Sequence, residues 1–268
     1  MISERQLRRL AGRAGIGVGE AEHEYAMLCV LDALRHAPLL SDTFCLKGGT
    51  ALRLAYFKDW RHSVDLDFSV LPGFPVEALQ DHIEAWFAGV EGLHGVAVRP
   101  TDLHRANGAA RVRAQFIGPL RHPSRLLFDI TLDELILLPP VLREVVVSCF
   151  VPLRPVVLAY ALEEILAEKM RSILQRGKSR DYYDVWRLLK EKAGDLDVGC
   201  ARAILGEKCR HKGIDEPIVG ALLVPQRLEE ARAYWERDLV RQVAPRPLPD
   251  WDTVTGELVA LLTPFFDP

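Results

Sequence analysis

Residues 46–68 read LKGGTALRLAYFKDWRHSVDLDF and place a glycine turn, a helix start and two aspartates within one short stretch. Gly48 and Gly49 follow the apolar run TFCL, and Thr50 opens a run of helical character. Glycines at the step from strand to helix let the backbone approach a phosphate, whose charge is favoured by the bared N–H groups and the helix dipole. Thr50 adds a hydroxyl donor. Asp65 and Asp67 are separated by one residue. Residues of like parity in a strand project together, so the two carboxylates can hold one hard cation. Magnesium suits such a site, which supplies one or two carboxylates and leaves the rest to water and substrate phosphate; manganese is the alternative ion. Together the pieces describe a cradle for a nucleoside triphosphate and its metal.

A third carboxylate, Asp129, lies in RLLFDITLD. There Leu126, Phe128, Ile130 and Leu132 share one parity and Leu127, Asp129, Thr131 and Asp133 the other, so Asp129 points away from the apolar face. On a neighbouring strand it would complete a two-metal arrangement, one ion activating the attacking hydroxyl and the other steadying the leaving pyrophosphate. Lys169 and Arg176 stand seven residues apart on nearly one helix face. A lysine suits triphosphate oxygens as a point charge, and an arginine suits forked contacts to phosphate. Arg180 and Asp184 stand at i and i+4, a spacing that equally makes an intrahelical ion pair, and Asp181 at the start of that helix can complement its dipole. Arg53, Lys58 and Arg61 flank the aspartate strand and either steer substrate or solvate a short helix. His62 reads as a neutral, hydrogen-bonded histidine, because polymerase-like transfer draws its rate from metals and positioning.

The elements that must position these groups fall into two sets. Helical periodicity predicts helices over about residues 20–37 and 75–88, and alternation predicts strands at TFCL, SVDLDFSVL, GVAVRP, ARVRAQFIG and RLLFDITLD. VVVSCFVPLRPVVLAY reads as a further extended segment. In SVDLDFSVL, Val64, Leu66, Phe68 and Val70 form the apolar face. From about residue 160 the pattern is almost wholly helical: 160–176, 180–192, 198–208, 225–237 and 251–264. The expected architecture is a mixed α/β domain over 1–155 and a helical domain over 156–268. Trp86, Trp186 and Trp235 fall among leucines and read as core.

Composition narrows the classes. The 268 residues are 49% hydrophobic and 26% charged, ordinary for a folded protein. No apolar run approaches the roughly 18–20 residues that span a bilayer, and the N-terminus lacks the apolar core of a signal peptide, which predicts a cytosolic protein with no membrane contact. The cysteines, Cys29, Cys45, Cys149, Cys200 and Cys209, are odd in number with no C-x-x-C pair, and read as buried reduced thiols. A net charge of -3 excludes a chain-wide basic coat. Local patches survive: six arginines against one acid between Arg99 and Arg125, and five basic residues with no acid between Lys169 and Arg180. Either run can face a phosphate backbone or simply be a solvated face.

The stretch 46–68 resembles the signature of the AbiEii/AbiGii toxin family, bacterial nucleotidyltransferases of the DNA polymerase β-like superfamily, and LEEILAEKMRSILQRGKSRDYYDVWRLL, residues 162–189, resembles that family's helical region. The resemblance implies a polymerase β-like mixed sheet followed by a helical half, and transfer of a nucleoside monophosphate from a triphosphate to an acceptor. In MenT-like members the acceptor is the 3′ end of transfer RNA, which blocks aminoacylation, and members act as the toxin of a pair whose antitoxin is encoded beside them. Carried over, Gly48, Gly49 and Thr50 would hold the triphosphate, and Asp65 and Asp67 would bind magnesium. Lys169 would reach into the cleft to the triphosphate, and Asp181 or Asp184 would complete the second motif; Arg53, Arg176 and Arg180, read from charge and spacing alone, join them as expected substrate contacts. Many members carry serine where Thr50 stands, which keeps the donor. The third strand carboxylate is less regular in the toxin branch, so Asp129 rests on strand parity.

Other readings compete. A protein side chain as acceptor would make the chain an AMPylating enzyme. A catalytically dead nucleotide-binding partner protein has no use for paired metal ligands. A haloacid dehalogenase-type phosphohydrolase needs an apolar strand leading into its first aspartate, whereas DWRHSV precedes Asp65.

Overall fold

Alternation over residues 66–70 and 123–131 builds the middle of a seven-stranded mixed sheet. In the computed structural model, which describes residues 1–146, 153–215, 217–244 and 246–266, the strands are β1 (Phe44–Leu46), β2 (Leu66–Val70), β3 (Ala97–Ala106), β4 (Ala109–Ile117), β5 (Pro123–Thr131), β6 (Val141–Glu144) and β7 (Val156–Ala159). Their order is β3-β4-β5-β2-β1-β7-β6. β2 runs parallel to β5 and antiparallel to β1, while β3, β4 and β5 form an antiparallel meander. The β3–β4 hairpin closes on Asn107 and Gly108, with φ of 51° and 70°, the backbone that a two-residue type I′ turn demands. Cys149 and residues 147–152 of the extended segment expected before β7 lie outside the described residues.

The chain divides into two compact units. The first takes Met1–Asp59, Ser63–Glu134 and Pro140–Ala159, and holds the sheet with α1 (Glu4–Ala14), α2 (Val18–Leu34), α3 (Leu40–Thr43), α4 (Gly48–Ala51) and α5 (Leu79–His94). α2 and α5 supply its core. Trp86 of α5 meets the rings of Phe44, Phe68, Phe87 and Phe128 with centroids 5.3–6.2 Å apart, and its Nε1 donates to the Val30 carbonyl at 2.9 Å. The donor of a buried tryptophan is thereby satisfied. Because Phe68 and Phe128 belong to this core, Asp67 and Asp129 are turned to the other face of the sheet.

The second unit takes Trp60–His62, Leu135–Pro139 and Tyr160–Pro268, with α6 (Leu162–Arg176), α7 (Ser179–Glu191), α8 (Val198–His211), α9 (Val219–Leu222), α10 (Pro225–Val243) and α11 (Trp251–Phe266). Trp235 and Trp251 meet edge to face, with centroids 4.9 Å apart, beside Tyr182 and Tyr183. Glu164 and Lys208, both fully buried, form an ion pair at 2.7 Å. The pair binds the segment Leu135–Pro139, since Lys208 donates to the Leu135 carbonyl and Glu164 accepts from the Leu138 N–H.

The structure corrects three expectations. β2 starts at Leu66, and Val64, assigned by parity to the apolar face, is 48% exposed; the chain passes from one unit to the other at Ser63, so Val64 sits in the connection rather than in the ladder. α1 was not signalled by periodicity. The run after the glycine turn is not one short α-helix, because α4 passes into a π-helical turn over Leu52–Tyr56. Among the cysteines, Cys29, Cys45 and Cys209 are buried free thiols and Cys200 is half-buried. Burial pushes the Cys29 thiol up to about 12.

Candidate active site

The residues singled out by the sequence form one cluster in each unit. In the first unit the glycine turn and the aspartate strand touch. Lys47 donates its N–H to the Asp67 carbonyl at 2.9 Å, extending the β1–β2 ladder to the start of the turn. Gly48 follows at φ +68°, where a Cβ would lie 2.9 Å from Asp67 Oδ2. Only glycine has both the left-handed backbone and the clearance. Gly49 and Thr50 are buried in α4. Thr50 Oγ1 bonds to the Asp65 carbonyl and lies 2.8 Å from Ser63 Oγ. A hydroxyl has one proton, so Thr50 donates to the carbonyl and accepts from Ser63. The donor expected to face a triphosphate thus fastens the segment that carries Asp65. Asp65 and Asp67 are both half-buried.

Asp129 stands beside Asp67 in the parallel β2–β5 register, as the parity of the two strands requires. Its carboxylate also takes Arg111 of β4, 2.6 Å from Nε to Oδ1. Asp129 foremost, through hydrogen bond and charge, and Asp65 and Asp67 further off, strengthen the guanidinium's hold on its proton. Arg111 is therefore the cation among three carboxylates, a role its place in a run of arginines did not reveal. Among the described residues no group of three or more His, Cys, Asp or Glu side chains is arranged to hold a metal ion; Asp129, expected from strand parity to complete a two-metal set, is turned to Arg111 instead. His23 of α2 also lies within the field of Asp65 and Arg53; burial lowers its pKa, against Asp65, which raises it. Nothing in its helical surroundings marks it in the sequence.

Arg53 is placed elsewhere. It is buried and paired with Glu24 of α2, so its charge is neutralised inside the first unit.

In the second unit Lys169, which the resemblance assigns to the triphosphate, converges with Asp181 and Asp184. Lys169 Nζ lies 3.2 Å from Asp181 Oδ1 and 2.8 Å from Asp184 Oδ2. Arg176 reaches Asp181 at 3.1 Å. Arg61 forks onto Asp184, Nε to Oδ1 at 2.7 Å and Nη2 to Oδ2 at 2.6 Å, and Trp60 Nε1 adds a third donor at 3.0 Å. Asp184 therefore pairs with Arg61 and Lys169 and not with Arg180 at i−4; Arg180 has no acidic partner among the described residues. Burial alone would raise both aspartates, yet Arg61 and Lys169 hold Asp184 well below the usual carboxylate range, and Lys169 and Arg176 hold Asp181 below its ordinary value. Arg61 was legible only as one of the cations flanking the aspartate strand.

Gly48→Ala is the sharpest local test of the first cluster. The left-handed backbone costs a non-glycine residue about 1–2 kcal/mol, and the new methyl would push Asp67 aside. Displacement of a reacting group by about an ångström costs on the order of a hundredfold in rate. Turnover should fall by that order while the thermal midpoint drops by only a few degrees; an unchanged rate would separate the turn from the chemistry.

Compared with known proteins, the chain matches over residues 30–256 the model of a family described as nucleotidyl transferase AbiEii toxin, type IV toxin–antitoxin system. It matches no curated protein. Among solved structures it is similar to MenT4, nucleotidyltransferase toxin Rv2826c from Mycobacterium tuberculosis H37Rv, with a TM-score of 0.69 and 20% identity, covering 98% of this chain and 90% of that one. That likeness is one of fold.

Proposed function

Because the chain belongs to the AbiEii family of nucleotidyl transferase toxins of type IV toxin–antitoxin systems, we propose that it moves a nucleoside monophosphate from a nucleoside triphosphate to the 3′ end of an RNA acceptor, transfer RNA foremost. The observation that carries this reading is the contact between Gly48 and Asp67, where a single added Cβ would strike the carboxylate. The turn able to cradle phosphates and the group able to hold their counter-ion are one site.

The donor set fits magnesium, or manganese in its place: Asp65 and Asp67 offer hard carboxylate oxygens, and such an ion draws its remaining ligands from water and substrate phosphate. When bound there it would act as a Lewis acid on the attacking hydroxyl and the departing pyrophosphate. Gly48 bares the backbone of the turn against the triphosphate, and Gly49, buried behind it, carries the turn into α4. Thr50 and Ser63 fix the segment that presents Asp65. Asp129 holds the Arg111 guanidinium beside the two ligands, where it can meet phosphate charge. In the reaction the acceptor's 3′ oxygen bonds to the α-phosphorus, the bond from that phosphorus to the β-phosphate oxygen breaks, pyrophosphate leaves, and the hydroxyl proton passes to solvent. Lys169, Asp181 and Asp184 serve as the second motif by setting α6, α7 and the Trp60–His62 segment. An RNA acceptor places the action in the cytosol, with an antitoxin opposing it; among the described residues no helix is long and apolar enough to cross a membrane.

The test is incubation with total transfer RNA, magnesium and each α-labelled nucleoside triphosphate, resolved on a denaturing gel. Label should appear on RNA with at least one nucleotide. Label on protein instead, or on nothing with all four, would contradict the proposal.

A further inference from the structure

The sheet face that carries Asp67 and Asp129 also carries four arginines in register. On β4, Arg111 and Arg113 share a parity with Gln115, and β3 and β5 bring their neighbours. Three rows cross the meander: His104–Arg111–Asp129, which continues through β2 to Asp67; Asp102–Arg113–Leu127; and Arg99–Gln115–Arg125. The irregularity between Pro100 and Asp102 lets both Arg99 and Asp102 face this side, since one added residue restores the parity. All four arginines are exposed. Two are neutralised, Arg111 by Asp129 at 2.6 Å and Arg113 by Asp102 at 3.0 Å. Arg99 and Arg125, which flank Gln115 in the third row, have no acidic partner among the described residues.

A chain of net charge -3 gains no solubility from unneutralised arginines gathered on one face. Their positions suit a phosphate backbone. Along a strand, side chains of one face recur at roughly 6.6 Å, and adjacent strands lie about 4.8 Å apart, which gives a ladder of forked donors for consecutive phosphates. Gln115 and His104 add polar groups of the kind that contact sugar and phosphate.

We propose that this arginine face docks the phosphate backbone of the acceptor RNA and leads its 3′ end along the rows towards Asp67. The inference rests on RNA being the acceptor. Charge favours RNA over a protein partner, because the rows offer forked cations and, apart from Leu127 and Ile117, no large exposed hydrophobic side chain on β4 or β5 for a protein to bury.

The experiment uses the full chain and total transfer RNA, with binding followed across salt concentrations and transfer kinetics measured on the same samples. The pair Arg99→Glu/Arg125→Glu should raise KM for RNA by about tenfold or more and flatten the slope of log affinity against log salt by about 1.4–1.8, the release of two counter-ions. KM for the nucleotide and kcat at saturating RNA should stay at the wild-type values. Arg99→Gln/Arg125→Gln should move the same quantities in the same direction by less, without charge reversal. Wild-type chain that labels RNA, with both variants matching it in KM and salt slope, would overturn the inference alone and leave the face to a protein partner. Wild-type chain that neither binds nor labels RNA would overturn the acceptor reading, and this inference with it.

Discussion

Asp67→Ala should abolish nucleotidyl transfer and leave the protein folded. Asp67 lies on the sheet face away from the Trp86 core, half-buried, so its removal takes no apolar packing. What it removes is a carboxylate against the glycine turn, 2.9 Å from where a Gly48 Cβ would stand. On the proposed reading Asp67 anchors a Lewis-acid ion, and loss of such a ligand costs several kcal/mol of transition-state stabilisation, which is on the order of a thousandfold or more in rate. Asp67→Asn should behave the same way, since the shape is kept and the charge lost. Asp129→Ala should cost less, about tenfold, because that carboxylate acts through Arg111, and a charge-assisted contact as exposed as this one is worth about 1.5 kcal/mol, the low end for such bonds. Rates and thermal midpoints measured on the three variants check the ranking; wild-type turnover in Asp67→Ala would remove the basis for the site.

The second large effect is on stability. Asp184→Ala would leave Arg61 and Lys169, both nearly buried, without their common counter-charge. Breaking a buried pair by removing one partner costs about 3–5 kcal/mol. Trp60 would lose its acceptor too, so the Trp60–His62 segment should loosen from α7 together with the loss of stability. The urea midpoint should fall accordingly, and protection of the Trp60–His62 amides from hydrogen exchange should fall further than that of α10. The pH dependence carries the same signature. Asp181 and Asp184 are held below their unfolded-state values, so in acid the unfolded chain binds more protons than the folded one. Their contribution is fully present above the unfolded value, about pH 4, and is lost as pH falls through the folded-state values. The acid limb should therefore be steep in the wild type and flatter in Asp184→Ala. An equal slope in both would show that the cluster does not couple to folding.

Much of this was legible in the sequence because period and parity speak plainly there. The alternation of SVDLDFSVL and RLLFDITLD puts the carboxylates on one face, and the structure sets Asp67 and Asp129 side by side as that alternation requires. The long helices were visible in their apolar spacing. α1 escaped because its signal is a capping box, Ser3 with Gln6, and only Leu7 and Ala11 are buried. Partners chosen across the fold were beyond reach. Nothing local says that Arg111 faces Asp129, that Arg53 turns inward to Glu24, or that Arg61 and not Arg180 takes Asp184; register and tertiary packing decide each of these. The Asn107–Gly108 turn was the one local clue to register, since a two-residue hairpin fixes which β3 and β4 residues pair.

The most direct measurement is the intact mass of purified transfer RNA before and after incubation with the protein, magnesium and the nucleotide that labels it, with released pyrophosphate counted in the same reaction. The RNA should be heavier by whole nucleotide residues, with one pyrophosphate released for each residue added, and neither change should occur with Asp67→Ala. RNA of unchanged mass beside pyrophosphate release and a heavier protein would contradict the proposal, and would make a protein side chain the acceptor.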